Sequence, residues 1–173
     1  MLQGMKNATF TILVVDDDEN DQIFIRRSFQ KISDVATIQS ARNGEEAIAY
    51  MMGEGKFSDR EIFKYPSFIM TDLKMPRADG FAVLEFLKSN PMWRIIPAVV
   101  LSASRDLDDI KKSYMLGASS YHVKPSEPAA LQKLLNLLYD YWMSCEVPQV
   151  DSTGKQVQTD SEGKLGERFV QPV

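Results

Sequence analysis

The sequence predicts an α/β domain in which a doubly wound parallel sheet is covered by helices on both faces. Two features indicate this class. Five short apolar runs alternate along the chain with five segments of helical periodicity, which is the pattern of repeated strand–helix units. Several of the runs are almost continuously apolar rather than alternating, as expected of parallel strands that are buried on both faces.

The first part of the chain supplies two strands and two helices. Residues Phe10–Val15 form an apolar run that ends in a cluster of acids, which predicts a buried strand. The apolar spacing over Ile23–Ile32 predicts an amphipathic helix, whose start the preceding acids favour. A short strand is predicted at Ala36–Ser40, followed by a turn at Asn43–Gly44 and a helix at Glu45–Met52.

The middle of the chain begins with a polar connection, Gly53–Pro66. Three apolar residues, Phe68–Met70, then predict a short buried strand that ends close to Asp72. Residues Phe81–Ser89 carry apolar side chains at helical spacing and predict a third helix. This helix ends at Asn90–Pro91, because proline does not continue a helix.

The last two strand–helix pairs follow in the same way. Residues Pro97–Ala103 predict a buried strand that ends in hydroxyl and small side chains. A helix is predicted at Leu107–Leu116, where an acidic first turn favours its start and Gly117 ends it. Residues Ser120–Pro125 predict the fifth strand, and Glu127–Cys145 predict the longest helix.

Composition indicates a globular protein and excludes several functions. The 173 residues suffice for one domain with an appendage, and 44% are hydrophobic and 25% charged. A formal net charge of -4 argues against nucleic-acid binding, and no apolar run reaches the roughly 18 residues of a membrane span. The first nine residues lack the apolar region of a signal peptide. Together with a single cysteine, Cys145, this predicts a cytoplasmic protein.

The strand ends carry the chemically active side chains. They are Asp16 and Asp17 after the first strand, Asp72 after the third, Ser102 on the fourth and Lys124 on the fifth. Such strand ends form the edge of the sheet where open α/β folds bind ligands. Converging acids repel one another unless a cation lies among them, and oxygen ligands select a hard ion such as Mg²⁺. With a hydroxyl and a lysine nearby, the pattern predicts transfer of a phosphoryl group to an aspartate.

Four segments together resemble the receiver domain of response regulators from two-component signalling. They are Val14–Asp17, Thr71–Gly80, Val99–Ala103 and Gly117–Pro125. The resemblance spans residues 10–145 and implies a flavodoxin-like five-stranded sheet of order 2-1-3-4-5. The connection at residues 53–66 is similar to that of stand-alone receivers that partner phytochrome-like histidine kinases. Residues 1–9 are then an N-terminal extension, and the polar composition of residues 146–173 predicts a linker or disordered tail.

The resemblance also implies how the acids act. Asp72 accepts a phosphoryl group from a phosphohistidine of a partner sensor histidine kinase. Asp16 and Asp17 bind Mg²⁺, and Asp72 and the backbone carbonyl of Lys74 complete the protein ligands. Lys74 itself departs from the Asn or Met that is usual at that position.

The remaining site residues contact the phosphoryl group or respond to it. By the same resemblance, Ser102 bonds a phosphoryl oxygen and Lys124 pairs with the group, through a cis bond to Pro125. Tyr121 is the switch residue whose rotamer follows Ser102. Ser102 stands where threonine is frequent, and the hydroxyl is retained.

Two other functions would require features that differ from those of this sequence. An aspartate-nucleophile metal phosphatase would need a cap domain or substrate pocket, and no such insertion exists. A receiver that no longer takes phosphate would lack one of the residues Asp17, Asp72, Ser102 and Lys124, all of which are present. We therefore expect a phosphoacceptor, catalysing at most its own phosphorylation and dephosphorylation. It signals through protein contacts or passes phosphate on as a phosphorelay intermediate, because no output domain is expected after Cys145.

Several polar and aromatic residues have simpler interpretations. Asp18, Glu19 and Asp21 are predicted to start the first helix rather than to bind a ligand. His122 is predicted to pack or face solvent, and Cys145 to be structural or incidental. The indoles of Trp93 and Trp142 are predicted to be packing residues.

The fifth helix has a wider apolar arc than a monomer needs. One stripe is predicted to pack on the sheet and comprises Leu131, Leu135, Leu138 and Trp142. An adjoining apolar stripe comprises Ala130, Leu134, Leu137 and Tyr141, which predicts a partner surface. The resemblance implies a homodimer through the fourth helix, fifth strand and fifth helix. The alternative is that Phe169 and Val170 of the tail cover Leu137 and Tyr141.

Overall fold

The parallel sheet that the sequence predicts is present. The computed structural model of the chain describes residues 10–32 and 36–157. Its strands are β1 (Phe10–Val15), β2 (Ala36–Ala41), β3 (Phe68–Thr71), β4 (Ala98–Ser102) and β5 (Ser120–Val123). Its helices are α1 (Glu19–Ile32), α2 (Gly44–Met52), α3 (Gly80–Ser89), α4 (Leu107–Met115) and α5 (Pro128–Ser144). All strand pairs are parallel, in the order β2-β1-β3-β4-β5, which confirms the predicted topology.

Alternate residues of the central strands enter two separate cores. Leu13 and Ile69 point into a core closed by α2 and α3, while Val14 and Met70 point into a second core closed by α1 and α5. Both faces of these strands are therefore buried, which explains their continuous apolar sequences. Each such side chain contributes about 1.5–3 kcal/mol through burial.

Polar side chains fix the starts of three helices. Asn43 Oδ1 accepts from the Glu46 amide at 2.9 Å, Asp79 Oδ1 from the Ala82 amide at 3.0 Å, and Asp106 Oδ1 from the Asp108 amide at 2.9 Å. Each bond satisfies an amide that lacks a partner in the first turn, which stabilises the helix by about 1 kcal/mol. These caps also fix where the loops at the carboxyl edge of the sheet end.

The fifth helix buries the stripe that its sequence predicts, whereas Leu134 of the adjoining stripe is partly buried against the second core and not open as predicted. Leu131, Leu135, Leu138 and Trp142 are buried. On the side facing α1, Gln132 Oε1 accepts from Ser28 Oγ at 2.8 Å. The opposite side is apolar and open, since Leu137 is 64% exposed and Tyr141 58%. No helix among the described residues is long and apolar enough to cross a membrane.

The connection between α2 and β3 is organised by Arg60. Its guanidinium donates to the carbonyls of Met51 at 2.6 Å and Phe63 at 3.0 Å, and lies 4.1 Å from the ring centre of Tyr65. These bonds hold a cluster of aromatic rings under α2, including Phe57. The polar appearance of this connection in the sequence therefore conceals a small packed unit.

Residues beyond α5 form a turn against that unit. Val150 pairs with Gln156 in an antiparallel bridge, and Asp151 Oδ1 accepts from the amides of Thr153 and Lys155. Gly154 is buried against Tyr65 and Trp93, with φ of 81°. Polar composition does not predict this contact, because Asp, Thr and Gly favour ordered turns as well as flexible linkers. Phe169 and Val170 lie outside the described residues.

Candidate functional site

Three acids meet at the carboxyl edge of the sheet. Asp16, Asp17 and Asp72 each offer a carboxylate oxygen, and these oxygens lie within 4.8 Å of one another. Asp16 is buried, Asp72 is partly buried and Asp17 is exposed. The structure therefore brings together the acids that the strand ends predict, and it leaves them open to solvent on one side.

Backbone bonds fix the two inner acids. The Asp72 amide donates to the Val15 carbonyl at 2.9 Å, so the end of β3 is tied to the end of β1. Asp72 Oδ1 accepts from the Leu73 amide at 2.6 Å, and Asp16 Oδ1 accepts from the Asp18 amide at 2.9 Å. Each carboxylate keeps its second oxygen for another partner.

Gly80 allows this loop to close. A Cβ at Gly80 would lie 2.1 Å from the carbonyl oxygen of Asp72 and 2.9 Å from Cα of Leu73. Both are backbone atoms, which cannot rotate away as a side chain can. The absence of a side chain at Gly80 therefore sets how closely α3 approaches the acidic site.

Lys124 lies among the acids. Its Nζ is 2.8 Å from Asp16 Oδ2, 2.8 Å from Asp21 Oδ2 and 3.3 Å from Asp72 Oδ2. Burial on its own would lower the pKa of Lys124, but the bonds to Asp16 and Asp21 outweigh it and raise the pKa. Burial raises the pKa of Asp16, and the bond from Lys124 opposes that rise. The ammonium thus supplies the positive charge that converging carboxylates require.

Asp21 is a member of this cluster that the sequence pattern does not indicate. Asp18 does start α1 as predicted, because its Oδ1 accepts from the amides of Asn20 at 2.8 Å and Asp21 at 3.2 Å. Asp21 lies in the same first turn, yet its side chain reaches Lys124. Helical periodicity does not indicate this contact, because Asp17 lies before α1 begins at Glu19 and Lys124 is distant in the sequence.

The bond between Lys124 and Pro125 differs from the predicted isomer. Among the described residues no peptide bond is cis, so the cis bond expected between Lys124 and Pro125 is wrong for this structure. The trans form of such a bond is the lower in energy by about 0.5–1 kcal/mol. Lys124 reaches all its acidic partners with the bond trans.

Ser102 and Tyr121 are linked through Ser104. The buried Ser102 Oγ accepts from the Ser104 amide at 3.3 Å, and the Tyr121 hydroxyl donates to the Ser104 carbonyl at 2.9 Å. Burial raises the pKa of Tyr121, and hydrogen bonds with Ser104 and Ser102 oppose the rise. A displacement of Ser102 would therefore affect Tyr121, because both residues bind the backbone of Ser104. The switching role itself stays a prediction.

The Lys74 side chain leaves the acidic cluster. Its Nζ is 2.9 Å from Asp109 Oδ2 on α4, and the same oxygen accepts from Ser104 Oγ at 2.6 Å. Asp109 raises the pKa of Lys74, and Lys74 lowers the pKa of Asp109. The role of the Lys74 carbonyl as a metal ligand stays a prediction, and no local pattern in the sequence indicates this link to α4.

Among the described contacts, none joins the acidic cluster to His122, Cys145 or either tryptophan. His122 is half-buried, with Nε2 3.1 Å from Ser120 Oγ, and burial lowers its pKa. Trp93 and Trp142 are buried packing residues as predicted, and Trp142 stacks on Phe68 at 5.5 Å. Cys145 is a free, partly buried thiol at the end of α5.

Comparison with known proteins identifies the family. The family model of the response regulator receiver domain matches residues 12–136. The chain belongs to this family. The match covers nearly all of the sheet and about half of α5, and the general role of this family is that of a signalling phosphoacceptor.

The chain is similar to regulatory proteins of other organisms. It is 31% identical over 135 residues to the probable methanogenesis regulatory protein FilR2 of Methanothrix harundinacea, covering 78% of this chain and 84% of that protein. It is also 31% identical over 141 residues to the response regulator Rcp1 of Synechocystis, covering 79% and 91% of the two chains.

Solved structures of other response regulators have the same fold. The phosphorylated cyanobacterial regulator RcpA superposes with a TM-score of 0.77 at 33% identity, covering 82% of this chain and all of RcpA. The Mn²⁺-bound form of Rcp1 superposes with a TM-score of 0.74 at 28% identity, covering 80% and 99%. The predicted similarity to phytochrome-associated receivers is thereby confirmed.

Proposed function

We propose that Asp72 is the phosphoacceptor of this receiver domain, and that it takes the phosphoryl group from a phosphohistidine of a sensor histidine kinase. The observation that carries the proposal is the convergence of Asp16, Asp17 and Asp72 with the Lys124 ammonium. An aspartate on its own is a weak nucleophile toward a phosphoryl group that is itself anionic. A nearby divalent cation and ammonium remove that repulsion.

The acids form a suitable Mg²⁺ site. Their ligands are oxygens only, they lie within 4.8 Å of one another, and one side of the cluster is exposed to water. Mg²⁺ prefers a few carboxylates together with retained waters. Asp16, Asp17 and Asp72 would hold the ion, together with the carbonyl of Lys74. Bound there, Mg²⁺ supplies charge neutralisation at the phosphoryl oxygens.

In the proposed phosphoryl transfer, Asp72, Lys124 and Ser102 have different roles. A carboxylate oxygen of Asp72 attacks phosphorus, the new O–P bond forms as the P–N bond of phosphohistidine breaks, and the electron pair and a proton stay with the imidazole. Lys124 donates to a phosphoryl oxygen, and Ser102 Oγ donates to another.

Labelling by acetyl phosphate tests the assignment. With Mg²⁺ present, intact mass should rise by one phosphoryl group in the wild type and stay unchanged in Asp72→Asn. Asp79→Asn is the matched control, because Asp79 follows the same loop but caps α3 through Ala82 and should leave labelling intact. Equal labelling of Asp72→Asn and wild type would disprove the assignment.

The kinase partner is proposed from the relatives. Both RcpA and Rcp1 resemble this chain, and RcpA is a phytochrome response regulator. We propose a phytochrome-like histidine kinase as donor. A phosphotransfer screen against phosphorylated kinases should give the fastest transfer from that class. Transfer onward to a histidine phosphotransfer protein in the same screen would instead identify a phosphorelay intermediate.

We also propose that the domain forms a symmetric homodimer through α4, β5 and α5. Leu137 and Tyr141 are exposed on the side of α5 opposite to α1, and Tyr114 and Met115 are exposed on α4. In a sedimentation experiment Leu137→Glu should shift the protein toward monomer. Ile62→Glu, which adds the same charge at a similarly exposed site before β3, should not. Unchanged association of Leu137→Glu would place the contact elsewhere.

A further inference from the structure

The ammonium of Lys124 has three N–H donors, and the structure gives it three acidic acceptors. They are Asp16 and Asp21 at 2.8 Å each and Asp72 at 3.3 Å. Lys124 is only 12% exposed, so a donor left without a partner there would carry a cost of desolvation. Each of the three acids therefore helps to hold the Lys124 ammonium in its position.

Asp21 differs from the other two acids. Asp16 and Asp72 belong to the group of oxygens that could hold a metal, whereas Asp21 does not. Asp72 is in addition the proposed phosphoacceptor. Once a metal and a phosphoryl group engage Asp16 and Asp72, Asp21 is the acceptor among the described contacts of Lys124 that is left to hold its ammonium.

Hydrogen bonds hold the start of α1, and with it Asp21, in place. The carboxylate of Asp18 accepts from the Asp21 amide and fixes the start of α1. The next residue, Gln22, donates through Nε2 to the carbonyls of Asp16 at 2.6 Å and Ala41 at 2.9 Å. The first turn of α1 is thus bonded to the ends of β1 and β2, which fixes the position of the Asp21 backbone relative to the sheet.

We propose that Asp21 is a positioning residue, which holds the Lys124 ammonium beside Asp72 when Asp16 and Asp72 are engaged by the metal and the phosphoryl group. The proposal rests on the proposed function of Asp72. In the loaded site one donor of Lys124 points to Asp21, and two remain for phosphoryl oxygens. A side chain at position 21 that cannot accept a hydrogen bond releases the ammonium to solvent. Phosphorylation then slows although the metal still binds.

Kinetics with acetyl phosphate test one side of this proposal. Asp21→Ala should slow phosphorylation at saturating Mg²⁺ about 10- to 100-fold, the usual range for removing a group that orients a site residue. Its Mg²⁺ affinity by calorimetry should stay within a few-fold of wild type. Asp21→Asn keeps an acceptor oxygen and should recover part of the rate. Glu19→Ala removes an exposed acid from the same turn and should leave the rate unchanged.

A spectroscopic measurement tests the contact without phosphorylation. In ¹⁵N-lysine-labelled protein saturated with Mg²⁺, Lys124 should give a slowly exchanging ammonium signal, assigned by its absence in Lys124→Arg. The signal should persist in Glu19→Ala and vanish in Asp21→Ala. This arm decides the role of Asp21 even if Asp72 of the wild type is not labelled, an outcome that would refute only the proposed function.

Three results would overturn the proposal. One is a rate for Asp21→Ala equal to that of Glu19→Ala. Another is an ammonium signal that survives in Asp21→Ala. The third is a loss of Mg²⁺ affinity in Asp21→Ala as large as that in Asp17→Ala, because Asp21 would then be a metal ligand and not a residue that acts through Lys124.

Discussion

Replacing Lys124 by Met should strongly destabilise the metal-free protein. Lys124 is 12% exposed and Asp16 3% exposed, with 2.8 Å between their charged atoms. Removing one partner of such a buried pair leaves the other charge without compensation, which costs about 3–5 kcal/mol. Asp72, also 12% exposed, loses a partner as well. We therefore expect the free energy of unfolding to fall by at least about 3 kcal/mol.

A surface ion pair gives the matched control. Lys56 pairs with Glu46, and its side chain is 63% exposed. Burial would raise the pKa of Glu46, but the bond to Lys56 outweighs this and lowers it. Exposed pairs contribute about 0–1 kcal/mol because water screens them. Lys56→Met should therefore change stability by less than about 1 kcal/mol, although it removes the same functional group.

Urea unfolding in EDTA measures both variants. The double variant Asp16→Asn/Lys124→Met should recover much of the lost stability, because the amide is neutral. Mg²⁺ should stabilise Lys124→Met more than it stabilises wild type, since the ion no longer competes with an ammonium for the same oxygens. If Lys124→Met and Lys56→Met are equally stable, the Lys124 ammonium does not offset the charge of the buried acids.

The same variant predicts a dependence on pH. Without Lys124, burial still raises the pKa of Asp16 above its usual 3.8, and the bond that opposed the rise is gone. The native state then binds a proton more readily than the unfolded chain does. Stability of Lys124→Met therefore decreases as pH rises from about 3.8 through the native pKa of Asp16. A variant whose stability rises across that window would contradict this sign.

Three further predictions follow from single contacts. Lys74→Ala should shorten the lifetime of phosphorylated Asp72, and Asp109→Asn, which frees the Lys74 ammonium, should lengthen it; unchanged phosphate release in both would refute the link. Gly80→Ala should cost at least about 2 kcal/mol in thermal unfolding, because its Cβ would lie 2.1 Å from a backbone oxygen. His122 should titrate below 6.5 by NMR, and stability should fall as pH drops below 6.5, an effect absent in His122→Asn.

The sequence predicted those parts of the fold that depend on local pattern. Continuous apolar runs such as Leu13–Val15 identified buried strands, since both faces of β1 are covered. The 3.6-residue period identified the buried side of α5 through Leu135 and the open side through Leu137. Acids and a lysine at strand ends identified the site, because the carboxyl ends of parallel strands must meet at one edge.

Contacts between distant side chains could not be predicted in this way. Asp21 and Lys124 are separated by more than a hundred residues, and Asp21 reads as an ordinary acid of a first helical turn. The bond from Lys74 to Asp109 depends on how α4 lies against the loop after β3, which no local pattern specifies. The position of Gly154 against Tyr65 likewise depends on a turn packed onto another loop.

A chain of contacts leads from the acidic site to the open face of the domain. Lys74 follows Asp72 by two residues and binds Asp109 on α4, Asp109 accepts from Ser104, and the Ser104 carbonyl accepts from Tyr121 on β5. Of the residues in α4 only Ser113 is buried, so this helix can shift at little cost in packing. If Asp72 is the phosphoacceptor, as proposed, its phosphoryl group would add negative charge near Lys74 and compete with Asp109 for the Lys74 ammonium. Release of the bond between Lys74 and Asp109 would then favour a different position of α4, and with it a different surface formed by α4, β5 and α5.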